Sequence, residues 1–178
     1  MSHAYQDGRV TIADLAYCAG VIDSDGTIGV KKSTYAMRVR RDAGQPTYSE
    51  RVSVKQVEPH AVSLLVSLFG GSRYITNNGT KNARPLHAWL ATDQRAATAL
   101  SAVLPYLRIK RLQAENCLQL RALKEASKIA RVANGRGHIG AASRPADLSQ
   151  AMEHCLRRAH LLNAVGKEVS GGDGAGIS

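Results

Sequence analysis

The stretch from residue 11 to residue 26 constrains the fold more than any other part of the chain. Its first twelve residues predict a helix, because Thr11 can cap a helix with Asp14. Apolar side chains recur on one face of this helix, at Leu15, Cys18 and Ile22. The helix ends at Asp23-Ser24-Asp25-Gly26, where terminal carbonyl oxygens beside a carboxylate suit a hard divalent cation. Taken alone, this tetrapeptide is more often a polar turn.

The rest of the chain alternates between strand and helix patterns. The predicted elements are a helix at 11–22, strands at 27–41 and 47–57, a helix between Pro59 and Gly70-Gly71, strands at 72–77 and 84–91 around the turn Asn78-Gly79, and helices after Thr92, at about 111–129 and around 148–159. In the second strand, Val52 and Val54 alternate with cationic and polar side chains, so one face is apolar and the other is cationic. The order αββαββα, with helical additions, predicts an α+β layer fold with one open sheet face.

Composition narrows the class of partner. The 178 residues include 24 Lys and Arg against 14 Asp and Glu, a net charge of +10, which favours an anionic partner, with nucleic acid first. This balance does not separate DNA from RNA or from an acidic protein. The apolar runs are shorter than the roughly 20 residues that cross a bilayer, and the N-terminus lacks a signal peptide, so we expect an intracellular protein with no membrane partner.

Three further expectations concern organisation and source. We expect an N-terminal arm at 1–10, one domain at 11–169 and a disordered tail at 170–178. The three widely spaced cysteines predict reduced core residues rather than disulfides or a zinc site. Abundant Ala and Arg with scarce Phe and Lys indicate a GC-rich gene, which favours the cytoplasm of a bacterial, phage or archaeal host over an organelle.

Residues 18–26, Cys-Ala-Gly-Val-Ile-Asp-Ser-Asp-Gly, resemble the LAGLIDADG motif of homing endonucleases. Val54-Lys55-Gln56 resembles the family segment whose glutamine lies by the metals, and Leu107-Arg108-Ile109-Lys110 resembles the segment that carries the active-site lysine. The chain has one copy of the motif, so the resemblance is closest to the single-motif branch, which acts as homodimers. It implies the LAGLIDADG fold, with a saddle-shaped antiparallel sheet and extra C-terminal helices.

The resemblance also implies an activity. It is that of a homodimeric, Mg²⁺-dependent homing endonuclease, encoded in an intron or in an intein-free reading frame. Such an enzyme hydrolyses both strands of a long pseudo-palindromic DNA site and leaves short 3′ overhangs. Asp25 and the Ser24 carbonyl would hold the metal, Gln56 would orient water, and Lys110 would stabilise charge on the phosphate. Mn²⁺ can substitute for Mg²⁺, whereas Ca²⁺ is expected to bind without supporting cleavage. His60 stands where close relatives have a basic residue.

The resemblance further implies a dimer contact through the small-residue face of the first helix. Small groups at helical spacing let a second backbone approach closely. The residues expected at this dimer interface are Ala16, Ala19, Gly20 and Asp23. We assign Asp23 to the helix terminus and to this contact ahead of catalysis.

DNA recognition is expected from the open face of the sheet. A strand of about 13 residues spans roughly 43 Å, more than one DNA turn of about 34 Å, so a strand pair can follow the major groove. In the second pair, Leu86, Ala88 and Leu90 are expected to face the helices. The predicted DNA contacts are Lys31, Ser33, Tyr35, Arg38, Arg40, Thr47, Ser49, Arg51 and Ser53 in the first pair, Thr76, Asn78, His87 and Trp89 in the second, and Arg108, Arg111, Arg136 and Lys167 at phosphates.

A second hypothesis keeps the same fold without cutting. Such a protein would be an intron maturase that binds its own intron RNA, or a transcriptional regulator. A binding protein needs none of Asp25, Gln56 and Lys110, so their joint presence favours the endonuclease. A monomeric enzyme with two motifs fails, because the sequence contains no second copy of the motif.

Overall fold

The computed structural model describes residues 10–34, 45–77, 84–133 and 144–168. Side chains are described as far as residue 129 in the third segment and residue 164 in the fourth. The turn at Asn78-Gly79, the tail at 170–178 and all but the last residue of the predicted arm lie outside these ranges.

Helix α1 (Ile12–Asp25) begins with the capping box that the sequence predicts. The Thr11 hydroxyl accepts the backbone N–H of Asp14 at 3.1 Å, and the Asp14 carboxylate accepts the backbone N–H of Thr11 at 3.1 Å. Reciprocal caps of this kind stabilise a helix by about 1 kcal/mol. The helix extends three residues beyond the predicted end, so that Asp25 is its last residue rather than part of a turn.

Gly26 allows strand β1 (Gly26–Ser33) to begin directly after helix α1. A Cβ atom at this position would lie 2.5 Å from the carbonyl oxygen of Ile22, which no side chain can tolerate. The glycine of the motif is therefore required by the close approach of the strand to the last turn of the helix. This junction fixes where the Asp25 carboxylate stands relative to the sheet.

The sheet is antiparallel throughout, in the order β1-β2-β4-β3. Its other strands are β2 (Thr47–Gln56), β3 (Ser72–Thr76) and β4 (Leu86–Thr92). Strand β2 is central, and its Val52 and Val54 are fully buried while Arg51 and Lys55 are exposed, which confirms the predicted apolar and cationic faces. Strand β1 ends at Ser33 in the described residues, and the predicted contacts Tyr35, Arg38 and Arg40 lie outside them.

Helices cover the apolar face of this sheet. They are α2 (Pro59–Phe69), α3 (Asp93–Val103), α4 (Arg111–Ala133) and α5 (Ala146–Glu168), with a 3-10 turn at Leu104–Tyr106. Pro59 begins α2 and Gly70, with a φ of 66°, follows its end, as predicted. The five helices and four strands of the described residues form an α+β fold, which confirms the predicted class. All three cysteines are buried, and loss of solvation raises the pKa of the Cys117 thiol to about 12.

Strand β4 presents the opposite faces from those predicted. Trp89 is paired with Val54, and its side chain is fully buried, with the indole N–H donating to the Gly70 carbonyl at 2.7 Å and the ring beside Phe69. His87 lies on the same side, so the placement of these two residues on the open face is wrong. The open face of this strand is formed instead by Leu86, Ala88 and Leu90. The large indole goes to the core because it removes roughly 150–250 Å² from water.

One buried set of ion pairs and one partly exposed pair attach the last two helices to the sheet. Glu50 of β2 is fully buried and accepts hydrogen bonds from Arg121 at 2.9 Å and Lys124 at 2.8 Å, both on α4. Glu153 of α5 accepts hydrogen bonds from Lys32 at 2.8 Å and from the Tyr48 hydroxyl. A buried carboxylate is tolerated only when it is paired in this way. These contacts hold α4 on the side of the sheet opposite to the open face and attach the middle of α5, at Glu153, to strands β1 and β2.

Candidate active site and nucleic-acid interface

Asp25 and Gln56 meet where helix α1 and strand β2 both end. The Gln56 side-chain amide donates to the Asp25 carboxylate at 2.7 Å. Gly26 is paired with Val54 in the sheet. Asp25 directly precedes Gly26, and Gln56 follows Val54 by two positions, so the pairing brings Asp25 and Gln56 close together. The contact orients the carboxylate and leaves it exposed to solvent. The sequence separates these residues by 31 positions, and the resemblance alone predicts that they act together.

Lys110 lies at the same end of helix α1. Its ammonium donates to the carbonyl oxygen of Ile22 at 2.9 Å, to that of Asp23, and more weakly to that of Ser24 at 3.4 Å. A cation here stabilises the negative end of the helix dipole. Partial burial lowers the pKa of Lys110 below its ordinary value, while the negative charges of Asp23 and Asp25 oppose that shift. A cation is thus held next to the carboxylate pocket rather than free in solvent.

Asp23 joins the two segments that carry these groups. Its carboxylate accepts the backbone N–H groups of Arg108 at 2.7 Å, Ile109 at 3.3 Å and Lys110 at 2.9 Å. The assignment to the helix terminus is confirmed, because Asp23 lies within the last turn of α1. Its expected place at a dimer interface stays a prediction, because these three hydrogen bonds lie within a single chain.

The small-residue face of α1 divides into two rows. Ala16 and Gly20 are exposed, and a Cβ atom on Gly20 would meet nothing within 4 Å. Ala19 is fully buried in the core of its own chain, so its predicted place in a dimer interface is wrong. The row formed by Ala16 and Gly20 lies about 60° around the helix from the row formed by Ala19 and Asp23, and of the two only the first faces outward.

The site offers an oxygen-only donor set for a metal. The Asp25 carboxylate and the Ser24 carbonyl, to which Lys110 donates only weakly at 3.4 Å, are hard oxygen ligands of the kind that Mg²⁺ prefers. Among the described residues, no group of three or more His, Cys, Asp or Glu side chains could hold a metal ion. One chain therefore fits part of a coordination shell, and the remaining ligands would be waters, substrate phosphates or groups from a second chain.

The open sheet face collects most of the predicted DNA contacts that lie in the described residues. Register pairs Lys31 with Ser49 and Ser33 with Thr47, and Arg51 and Ser53 follow on the same side of β2. Thr76 of β3 is paired with Leu86 and also lies on this face. This face also carries residues that are not among the predicted contacts, such as Thr27, Lys55 and Tyr74, although the alternation of Arg51 and Ser53 indicates Lys55 as well.

The other predicted contacts either lie elsewhere in the structure or fall outside its described residues. His87 and Trp89 point toward the helices, and Asn78 and Arg136 lie outside the described residues. Lys167 belongs to helix α5, but its side chain is outside the description. Arg108 and Arg111 are exposed at the start of α4, and His60 is exposed in the first turn of α2.

Two depressions share Asp25 as a lining residue. The larger, of about 740 Å³, is lined by the open-face residues of β1 and β2 and by part of helix α5. The smaller, of about 470 Å³, is lined by Gln56, Tyr17 and Glu58 among others. The larger one carries four cationic residues, Lys31, Lys32, Arg51 and Lys55, and within its described lining Asp25 is the single acid. Its charge suits a polyanion.

Comparison with known proteins supplies the fold class. The structure is similar to that of the homing endonuclease I-CvuI in complex with the I-CreI target in the presence of 2 mM Mg, with 21% identity, a TM-score of 0.50, and coverage of 84% of this chain and 98% of that chain. The intron-encoded homing endonuclease I-CeuI, complexed with DNA, has 13% identity and a TM-score of 0.48 over 83% of this chain and 78% of that chain. No protein-family model and no curated protein matches the sequence.

The likeness to I-CvuI concerns the fold. This chain has the fold of the LAGLIDADG homing endonucleases, as the motif at residues 18–26 indicates. No helix in the described segments is long and apolar enough to cross a membrane.

Proposed function

We propose that the protein is a homing endonuclease that hydrolyses both strands of a specific DNA site. The observation that carries the proposal is the meeting of Asp25, Gln56 and Lys110 at one end of a cationic sheet face. A carboxylate that accepts from a side-chain amide, with a cation held on the carbonyl oxygens of the same helix end, supplies the groups that phosphodiester hydrolysis uses.

Each side chain has a distinct part in this reaction. Asp25 and the Ser24 carbonyl would hold a divalent cation, Mg²⁺ in the first instance. When bound, that cation supplies a water of lowered pKa and neutralises charge on the scissile phosphate. The Gln56 amide keeps the carboxylate in place and can orient a water molecule. The Lys110 ammonium stabilises the charge that develops on the phosphate oxygens.

The active form is proposed to be a homodimer. One chain contributes a single carboxylate, whereas cutting two strands needs two such centres. The exposed row at Ala16 and Gly20 offers small residues over which a second copy of α1 can pack closely. Tyr17, which is 48% exposed, lies beside this row on the helix surface and would be covered by the same contact. The two Asp25 residues would then lie near the twofold axis.

The strand pair β1–β2 is proposed to read the DNA. The open face of this pair presents hydroxyl and cationic side chains and no acidic side chain among its described residues. They are Thr27, Lys31 and Ser33 of β1 and Thr47, Ser49, Arg51, Ser53 and Lys55 of β2. Arg and Lys pair with guanine acceptors in the major groove, and hydroxyls contact several bases. Arg108 and Arg111 at the exposed start of α4 are proposed to bind phosphates, which position the duplex without specifying sequence.

The test is cleavage of a plasmid that carries the joined sequences flanking the gene. Wild-type protein is expected to linearise it with Mg²⁺ and to leave it intact with Ca²⁺ or with EDTA. Asp25→Asn should give no linear product. Asp147→Asn, which removes an exposed acid at the start of α5, is the matched control and should cut like wild type.

The alternative is a protein that binds without cutting. A maturase or regulator with this fold would hold DNA or its intron RNA through the same cationic face and would leave the plasmid intact in every metal. Binding to the intron RNA in preference to the duplex would favour the maturase. The intact contact between Gln56 and Asp25 supports the endonuclease, because a binding surface needs no oriented carboxylate.

A further inference from the structure

Helix α5 runs along the outer edge of strand β1. The sheet order makes β1 an edge strand, whose outward carbonyl groups need partners. The Asn163 side-chain amide donates to the Ile28 carbonyl at 3.0 Å, and the same nitrogen would lie 3.5 Å from a Cβ atom on Gly29. The end of α5 is thereby fixed to the strand by a contact across 135 positions of the sequence.

This attachment gives the DNA groove a side wall. Leu156, His160 and Asn163 line the same depression as the open-face residues of β1 and β2. Leu156 is buried and belongs to the core, whereas His160 is exposed. Asn163 is exposed as well, but its amide nitrogen donates to the Ile28 carbonyl, so we take the His160 imidazole as the group of this wall that meets a ligand in the groove. It carries at least one N–H donor in every protonation state.

The charge of the groove identifies the ligand group. The sheet side is lined by Lys31, Arg51 and Lys55, and a phosphodiester is the group of a DNA duplex that such cations attract. The imidazole N–H of His160, on the wall opposite these cations, can likewise donate a hydrogen bond to a phosphate oxygen. The backbone of a duplex lying on the sheet would run between the two.

We propose that helix α5 forms one wall of the DNA groove and that His160 contacts a backbone phosphate there. This inference rests on the proposed binding of duplex DNA to the open sheet face. The contact is independent of base sequence, because it goes to the phosphate. Asn163 has no direct part in it and acts by fixing the wall to β1.

The test compares charge reversal at two histidines of the same helix. His160→Glu places a carboxylate on the wall, and His154→Glu places the same charge on an exposed position that does not line the groove. Both variants alter the overall charge equally, so a difference between them reports a local contact. The probe is a mixed-sequence duplex of roughly 40 base pairs, about four helical turns, titrated in Ca²⁺ at low salt.

His160→Glu is expected to weaken binding by about tenfold and His154→Glu by less than about twofold, while His160→Lys should bind at least as tightly as wild type. Equal losses for the two glutamate variants, or no loss for His160→Glu, would overturn the wall contact. Failure of the wild-type protein to bind the duplex at all would instead overturn the proposed function. Because positions 154 and 160 are both exposed, we expect all three variants to fold.

Discussion

The Asp23 carboxylate accepts the backbone N–H of Lys110 at 2.9 Å, and the Lys110 ammonium in turn donates to the main-chain carbonyl of Asp23. Asp23 and Lys110, which are 87 positions apart, are thus joined by two hydrogen bonds, each between the side chain of one residue and the main chain of the other. The end of helix α1 and the start of helix α4 are locked together at the point where Asp25 stands. A rigid junction of this kind keeps a cation and a carboxylate at fixed separation.

Asp23→Asn is expected to slow DNA cleavage through Lys110. The amide loses the charge that holds three N–H groups, so the backbone of residues 108–110 loosens and the ammonium leaves its position. We expect a loss of about tenfold in the single-turnover rate in Mg²⁺, against about a hundredfold for Lys110→Met. DNA affinity in Ca²⁺ should stay within about twofold of wild type.

A double-mutant cycle identifies the route of this effect. If Asp23 acts by positioning Lys110, then Asp23→Asn adds almost nothing to the loss already caused by Lys110→Met. Fully multiplicative losses in the double variant would show that Asp23 influences cleavage independently of Lys110. Asp147→Asn serves again as the control for removal of an acid.

Trp89→Phe is expected to lower stability without weakening DNA binding. The substitution removes the indole N–H that the Gly70 carbonyl accepts and leaves a gap in the core. We expect a loss of about 2 kcal/mol in the free energy of unfolding, measured with urea at 25 °C. If Trp89→Phe kept wild-type stability but bound DNA more weakly, the burial of Trp89 in the core would be contradicted and its place on the open face supported.

Gly20→Leu is expected to separate the dimer while leaving each chain folded. A side chain at this position meets nothing within 4 Å of its Cβ atom in the single chain, and leucine favours a helix over glycine by roughly 0.8 kcal/mol. Sedimentation should therefore give the mass of one chain with an unchanged far-ultraviolet dichroism spectrum. Ala126→Leu, at an exposed position of α4, should sediment as wild type. A Gly20→Leu dimer would place the interface elsewhere.

The stability of the protein should fall in acid partly through Glu153. Hydrogen bonds from Lys32, and then from Tyr48, lower the pKa of this carboxyl below 4.5. A carboxyl with a lowered folded-state pKa contributes stability above its unfolded pKa and loses it as the pH falls through the folded value. Glu153→Gln should therefore lose less stability than wild type between about pH 5 and pH 3, in thermal melts. Parallel melting curves across this range would contradict the assignment.

The local part of this architecture is predictable from the sequence. The Thr11 cap, the β1–β2 pair and its cationic face follow from patterns within a few residues, and the structure confirms them. The resemblance of residues 18–26 predicts the fold that the structure shows. Gln56 and Lys110, nominated on the resemblance, lie together with Asp25 at the end of α1.

The failures come from contacts that span the chain. Strand β4 has apolar residues on both faces, so alternation cannot decide which face is buried, and the Gly70 carbonyl that receives the Trp89 N–H is remote in sequence. The stripe of small residues on α1 contains both Ala16 and Ala19, and only packing against the sheet separates the exposed row from the buried one. The N–H partners of Asp23 come from the start of another helix, which no local pattern reveals.

Mapping the cut positions on both strands of the DNA site tests the proposed endonuclease function most directly. A duplex carrying the joined flanking sequences, labelled on each strand in turn, is incubated with wild-type protein and with Asp25→Asn in Mg²⁺. We expect one cut in each strand by the wild-type protein, staggered to leave 3′ overhangs, and no cut by Asp25→Asn although the variant still binds. Cleavage by Asp25→Asn at the wild-type rate, or tight wild-type binding with both strands intact, would contradict it.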